Sequence, residues 1–252
     1  MERGRHQYRQ GVDQQQVVEA AGGVARDPVP LVVVVHLAHR LEHEATGGVD
    51  HLLLATSVPF LLTPALHYVE AWNEAVCAGA WGGRFARLGE RVRQGLDLEH
   101  WAAFEESFAR LTRIIREVGS GARGAPPATI GVLSGDVHHS FLANARPGQG
   151  AAMASLLYEA VCSPFRHPLG ARERRMLKAG MSKSVAAAAR TLARRAHVAA
   201  PELEWELAQP PTFANSVATL ELDGRTATLT IEQALPDWRE PTLAPVLQHR
   251  LA

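Results

Sequence analysis

Hydrophobic positions along this chain follow two periods, and the order of those periods predicts a layered protein. His51–Ser57 reads as the first core strand, because Leu52–Ala55 are apolar without a break, as suits a strand covered on both faces. Pro59 and Pro64 end it. Ala65–Ala78 changes to helical spacing at Leu66, Val69 and Val76, and Trp81–Leu96 is a basic amphipathic segment carrying Phe85, Leu88 and Val92. Leu98–Val118 has the clearest helical stripe: Trp101, Phe104, Phe108, Leu111, Ile114, Ile115 and Val118 share one face, with Asp97 expected as the N-terminal cap. A loop over Gly119–Pro127 leads into a β-branched run at Ile130–Leu133. Phe141–Ala145 and Leu156–Val161 are further strands, separated by a turn at Pro147–Gly150.

The C-terminal third reads differently. Glu173–Ala200 is rich in Ala, Arg and Lys and predicts helix, interrupted at Gly180. Phe213–Leu222 and Arg225–Gln233 alternate around Asp223-Gly224, the signature of a hairpin with a type I′ turn, and the tail after Pro236 carries no pattern. Strand, helix, strand order predicts a parallel or mixed sheet. The fold class is therefore α/β with α+β character: a mixed sheet with flanking helices and a C-terminal hairpin.

Composition narrows the classes. With 252 residues, 46% of them apolar, the chain can bury a core for one or two domains. Basic and acidic side chains number 26 each, which gives no reason to expect nucleic acid or an anionic membrane as partner. The basic clusters at Arg172–Lys183 and Arg190–Arg195 read as solvated helix faces. Two cysteines, Cys77 and Cys162, make no disulfide framework and point to a reducing compartment. No charged-then-apolar leader opens these residues and no apolar run reaches membrane-spanning length, so a cytoplasmic location is expected; export of a longer form is compatible with that.

Candidate chemistry concentrates in Thr129–Ala143. The apolar strand breaks at Ser134-Gly135, and Asp136, His138 and His139 follow at once. A carboxylate and imidazoles at the mouth of a buried strand stand where an α/β protein places its chemistry. Asp136 and His138, two apart on an irregular turn, offer the O and N donors that a hard or borderline metal accepts. A strand end carrying solvated polar residues accounts for the same pattern. His36, His39 and His43 share a helical face, but no cysteine or carboxylate completes a zinc set there.

Leu133-Ser-Gly-Asp-Val-His-His-Ser140 resembles the last metal-binding motif of the metallophosphoesterase superfamily in its PhoD-like alkaline phosphatase form. Asp50–Pro59, Ala65–Glu74, Val161–Arg166 and Phe213–Gly224 are similar to the segments around that motif, so the likeness spans about residues 45–235. It implies a partial metallophosphoesterase-type sandwich. Asp136 and His138 would be metal ligands, with His139 and Ser134 at the substrate or behind the ligands. The ions would be calcium, iron, manganese or zinc, incompletely bound, and the substrate a phosphate ester. The family's substrate-side segment reads Asp-x-Trp; here Glu70 and Trp72 occupy it, with Glu70 in place of the Asp.

The family's earlier metal motifs (Asp-x-His, Gly-Asp-x-x-Asp or -Tyr, Asn- or Asp-His-Glu) do not occur in residues 1–130. The expectation is thus a C-terminal portion of such an enzyme, impaired in hydrolysis, with residues 1–44 disordered or translated out of frame and 236–252 a tail. Two donors cannot hold a catalytic metal cluster, since such sites use three or four protein ligands. The alternative is a non-catalytic remnant acting as an interaction module. Either way, self-association through an exposed sheet edge is expected. An unrelated serine hydrolase would need a Gly-x-Ser-x-Gly elbow, and none occurs. Reading the genomic DNA upstream of codon 45 in the other frames should reveal the missing motifs; their absence there would refute the out-of-frame expectation.

Overall fold

Backbone hydrogen bonding sorts the strands into two sheets, in a computed structural model that describes residues 48–148, 152–163, 169–235 and 242–252. The expectations for residues 1–44, including the His36/His39/His43 face, lie outside the described residues. The first sheet joins β1 (His51–Ala55), β2 (Thr129–Ser134), β3 (Phe141–Pro147), β4 (Leu156–Val161) and β5 (Leu203–Leu207) in the order β1-β2-β4-β3-β5. β1, β2 and β4 run parallel; β3 and β5 run antiparallel to their neighbours. The second sheet is β6 (Ser216–Asp223), β7 (Thr226–Ala234) and β8 (Leu243–Arg250), wholly antiparallel.

Side-chain alternation explains why these sheets stack. On one face of β2 and β4, Ile130, Val132 and Leu157 pack with Phe60, Phe108, Leu111 and Ile115. On the other, Tyr158 and Ala160 meet Ala227, Leu229, Ile231 and Leu247 of the small sheet. Three layers result: helices, mixed sheet, small sheet. The helices are α1 (Pro64–Cys77), α2 (Gly83–Leu96), α3 (Glu105–Gly119), α4 (Ala171–Gly180) and α5 (Lys183–Arg195). The α/β class stands, and the helix break at Gly180 falls where the sequence placed it.

Four local expectations are corrected. Leu98–Val118 is not one helix: a short 3-10 turn at Trp101–Ala103 precedes α3. Asp97 does not cap it; with φ of 55°, Asp97 ends α2 in the left-handed region. The hairpin loop is Gly224-Arg225 rather than Asp223-Gly224, because Asp223 pairs with Thr226. Of those two loop residues only Gly224 has positive φ, so the turn is not type I′. Residues 243–250 form the third strand of the small sheet rather than a loose tail, and a register shift beside Ile231 and Glu232 accommodates Pro245 at the edge. β5 was not foreseen, although Leu203-Glu-Trp-Glu-Leu207 alternates with period two.

Two buried contacts fix the layers. Gly131 faces Tyr158 across the β2–β4 ladder, and a Cβ there would stand 2.5 Å from the Tyr158 ring tip and hydroxyl. Glu159, fully buried on β4, accepts the backbone N–H of Phe60 at 2.8 Å, that of Leu61, and the Ser134 hydroxyl at 2.7 Å. That carboxylate holds the segment between β1 and α1. Burial pushes its pKa up to about 7, against the donors, which pull it down. At the sheet's other end, His51 bonds Thr129 Oγ1 through Nδ1 at 2.8 Å and the Gly224 carbonyl through Nε2 at 2.8 Å.

Gly131→Ala is expected to destabilise by about 1–3 kcal/mol in urea unfolding, since a buried ring has nowhere to move. Glu159→Gln turns an acceptor into a donor among donors and should remove about 2–3 kcal/mol. The folded pKa of Glu159 lies above its ordinary 4.5, so the folded form holds the proton longer. Its contribution therefore falls as pH climbs from about 4.5 to 7, and the variant should lose that slope in unfolding measured across this range.

Candidate functional site

The C-terminal ends of the parallel strands β1, β2 and β4 open onto one cluster of titratable groups. β2 stops at Ser134 because Ser134-Gly135 turns the chain, and the loop to β3 then carries Asp136, Val137, His138 and His139. Asp136 and His138 both adopt left-handed backbone, with φ of 61° and 55°. An L-residue with a Cβ pays about 1 kcal/mol or more for that conformation. Val137, between them, turns inward against Phe141, Ala143 and Val161, and the two polar side chains are exposed. The His138 N–H donates to Ser163 Oγ at 3.2 Å, tying this loop to the segment that follows β4.

His139 points the other way. It is buried, its Nδ1–H donates to the Val137 carbonyl at 2.6 Å, and its ring lies 5.3 Å from Phe141 and 5.8 Å from Phe213. Burial lowers its pKa to about 4, so it is neutral at neutral pH and forms part of the wall. Ser134 is a donor to Glu159 and not free for a ligand.

Across the mouth stands an acid–imidazole pair that the sequence did not single out. Glu70 on α1 is completely buried, and its Oε1 lies 2.6 Å from His100 Nδ1. His100 comes from the break between α2 and the 3-10 turn. Its neighbour Trp101 pins that break by donating Nε1–H to Thr56 Oγ1 at 3.1 Å and packing edge-on to Phe60 at 5.5 Å. Burial works against charge on His100, but the hydrogen bond and negative charge of Glu70, with Asp97 and Asp136, outweigh it and raise the pKa. Burial raises Glu70 while His100 lowers it, so the two titrate as a unit. Glu159 and His139 also interact electrostatically with His100.

The structure thus brings Asp136, Ser134, His139 and Glu70 to the mouth but leaves Trp72 out. Trp72 packs with Tyr68, Ala189 and Ala193 between α1 and α5, 5.6 Å from the Trp81 ring. His100 and Glu159 were missed. Glu159 carried a signal, a lone acid inside the apolar run Leu156–Val161; His100 was hidden within what read as one helix.

The metal ions implied by the family likeness do not fit this cluster as a complete centre. Among the described residues no three His, Cys, Asp or Glu side chains converge as a metal-holding group. Glu159 is engaged by N–H and O–H donors, Glu70 by His100 and His139 by a carbonyl, so the motif falls short of a full ligand set. Compared with known proteins, the chain matches no family model, no curated protein and no solved structure.

Proposed function

We propose that this chain supplies one wall of a phosphate-ester-hydrolysing site of the PhoD-like kind, with the remaining ligands coming from elements other than those described. One observation carries the reading. Two non-glycine residues of a metal-type motif, Asp136 and His138, hold left-handed backbone at the end of a buried parallel strand. Strain of that kind persists where surrounding structure over-determines it, and it clusters at functional sites. The neighbouring groups are consistent with this: carboxylates and imidazoles gather near the C-terminal ends of the parallel strands. Two motif donors cannot hold a catalytic metal cluster, so the chain by itself hydrolyses phosphate monoesters and diesters poorly.

A second reading, an interaction module without catalysis, draws on a separate observation. β1 is an edge of the mixed sheet, and Val49 and Leu53 beside it are 42% and 40% exposed. An edge strand with exposed apolar side chains is a template for pairing with another chain or a second copy.

Turnover of p-nitrophenyl phosphate and bis(p-nitrophenyl) phosphate, with calcium, iron, manganese or zinc added, is expected to stay near background. Calorimetry should detect weak metal binding that falls by about tenfold or more in Asp136→Asn and His138→Ala. Robust turnover abolished by His138→Ala would refute the incomplete site. Metal affinity unchanged in both variants would refute the ligand roles and leave the interaction module, which light scattering would then report as a dimer or larger.

A further inference from the structure

We infer that Glu70 and His100 form a proton-carrying dyad in which His100 Nε2–H meets a phosphoryl oxygen at the mouth, with Glu70 as its positioning residue. The inference deepens the reading above and rests on it for the identity of the ligand; the dyad itself rests on geometry.

Glu70 is fully buried, and a carboxylate is left in such a place only when something satisfies it. His100 Nδ1 does so for Oε1 at 2.6 Å, as short as charge-assisted hydrogen bonds run, while the buried Oε2 has no hydrogen-bond partner among the described residues. Nδ1 being the bonded nitrogen fixes the ring, so Nε2 is the nitrogen left for a ligand. It has no hydrogen-bond partner among the described residues. The side chain keeps 17% of its surface exposed. Trp101, held by Thr56 and Phe60, prevents the loop from swinging away.

The groups facing His100 come from several elements: Glu70 on α1, Asp97 at the end of α2, Asp136 in the β2–β3 turn, Glu159 on β4, and His139. Two of the four carboxylates are already engaged, Glu70 by Nδ1 and Glu159 by three donors. The negative charge of Glu70, Asp97 and Asp136 favours the imidazolium, which donates a hydrogen bond to a phosphoryl or ester oxygen. In ester cleavage the Nε2 proton passes to the leaving oxygen as the P–O bond breaks and its electron pair goes to that oxygen. Water supplies the new P–O bond, and its released proton restores the imidazolium. Glu70 stays hydrogen-bonded throughout and orients the ring.

The test uses the full chain, 15N-labelled, with inorganic phosphate as the probe. Long-range 15N–1H spectra should show His100 as imidazolium to higher pH than free histidine, and phosphate near pH 6.5 should shift its Nε2 resonance. His100→Gln should weaken phosphate binding by about tenfold, with the affinity of the unaltered chain falling as pH rises through the His100 pKa. Glu70→Gln removes the partner charge, so the His100 pKa should fall and the loss of binding should move to lower pH. A folded Glu70→Gln chain in which His100 titrates unchanged overturns the dyad. Phosphate bound equally well by His100→Gln overturns the ligand role while leaving Asp136 and His138 to their own test. Failure of the unaltered chain to bind phosphate at all overturns the dyad's role as well, whatever the metal calorimetry shows.

Discussion

A single buried carboxylate governs the architecture. Glu159 sits in the central parallel ladder, where hydrophobic side chains surround it, and it is tolerable there only because three donors converge on it. Two of those donors are consecutive backbone N–H groups, so the carboxylate takes the part that a capping side chain takes for a helix end. Phe60 and Leu61 are thereby drawn over the sheet, and Phe60 in turn stacks on Phe108 at 4.6 Å and supports Trp101. From one acid follow the position of the loop after β1, the seating of α3 and the placement of His100.

The mouth above Glu159 combines opposite treatments of charge. His139 is stripped of water and lowered to about 4, so it stays neutral. His100, half-buried, is pulled the other way by Glu70 with Asp97 and Asp136. Neighbouring imidazoles shifted in opposite directions are a division that burial alone cannot produce; it takes a carboxylate placed beside one ring. The left-handed turn at Asp136–His138 adds a third device, which keeps Val137 inside while its flanking polar residues face out.

How much of this could be read from the chain depended on whether the signal was periodic. β2, β4, β6 and β7 and the Ala- and Arg-rich helices announced themselves through continuous or alternating apolar positions, and the Asp136–His139 turn through its abrupt change of residue type. What failed was non-periodic. Asp97 looks the same as an N-cap or as a left-handed C-terminal residue, and only tertiary contacts from Trp101 decide between them. Leu243–Arg250 carries a proline, which argues for a loop until an edge position and a bulge remove the conflict. Glu70–His100 joins residues thirty positions apart on elements whose angle no local pattern encodes. Trp72, two residues from Glu70 on a helix, necessarily points to a different face.

His51 gives the fold a temporal consequence. One ring ties the first described strand to residue 129 and to the carbonyl of residue 224, a separation of 173 positions. During vectorial synthesis the ribosome must release most of the polypeptide before that bridge can close. Until then β1 can pair with β2 but lacks the hairpin turn that locks its lower end. Nascent chains therefore pass through a long interval in which the amino-terminal edge is open, a window in which a chaperone or a sister polypeptide competes with the molecule's own carboxyl-terminal third.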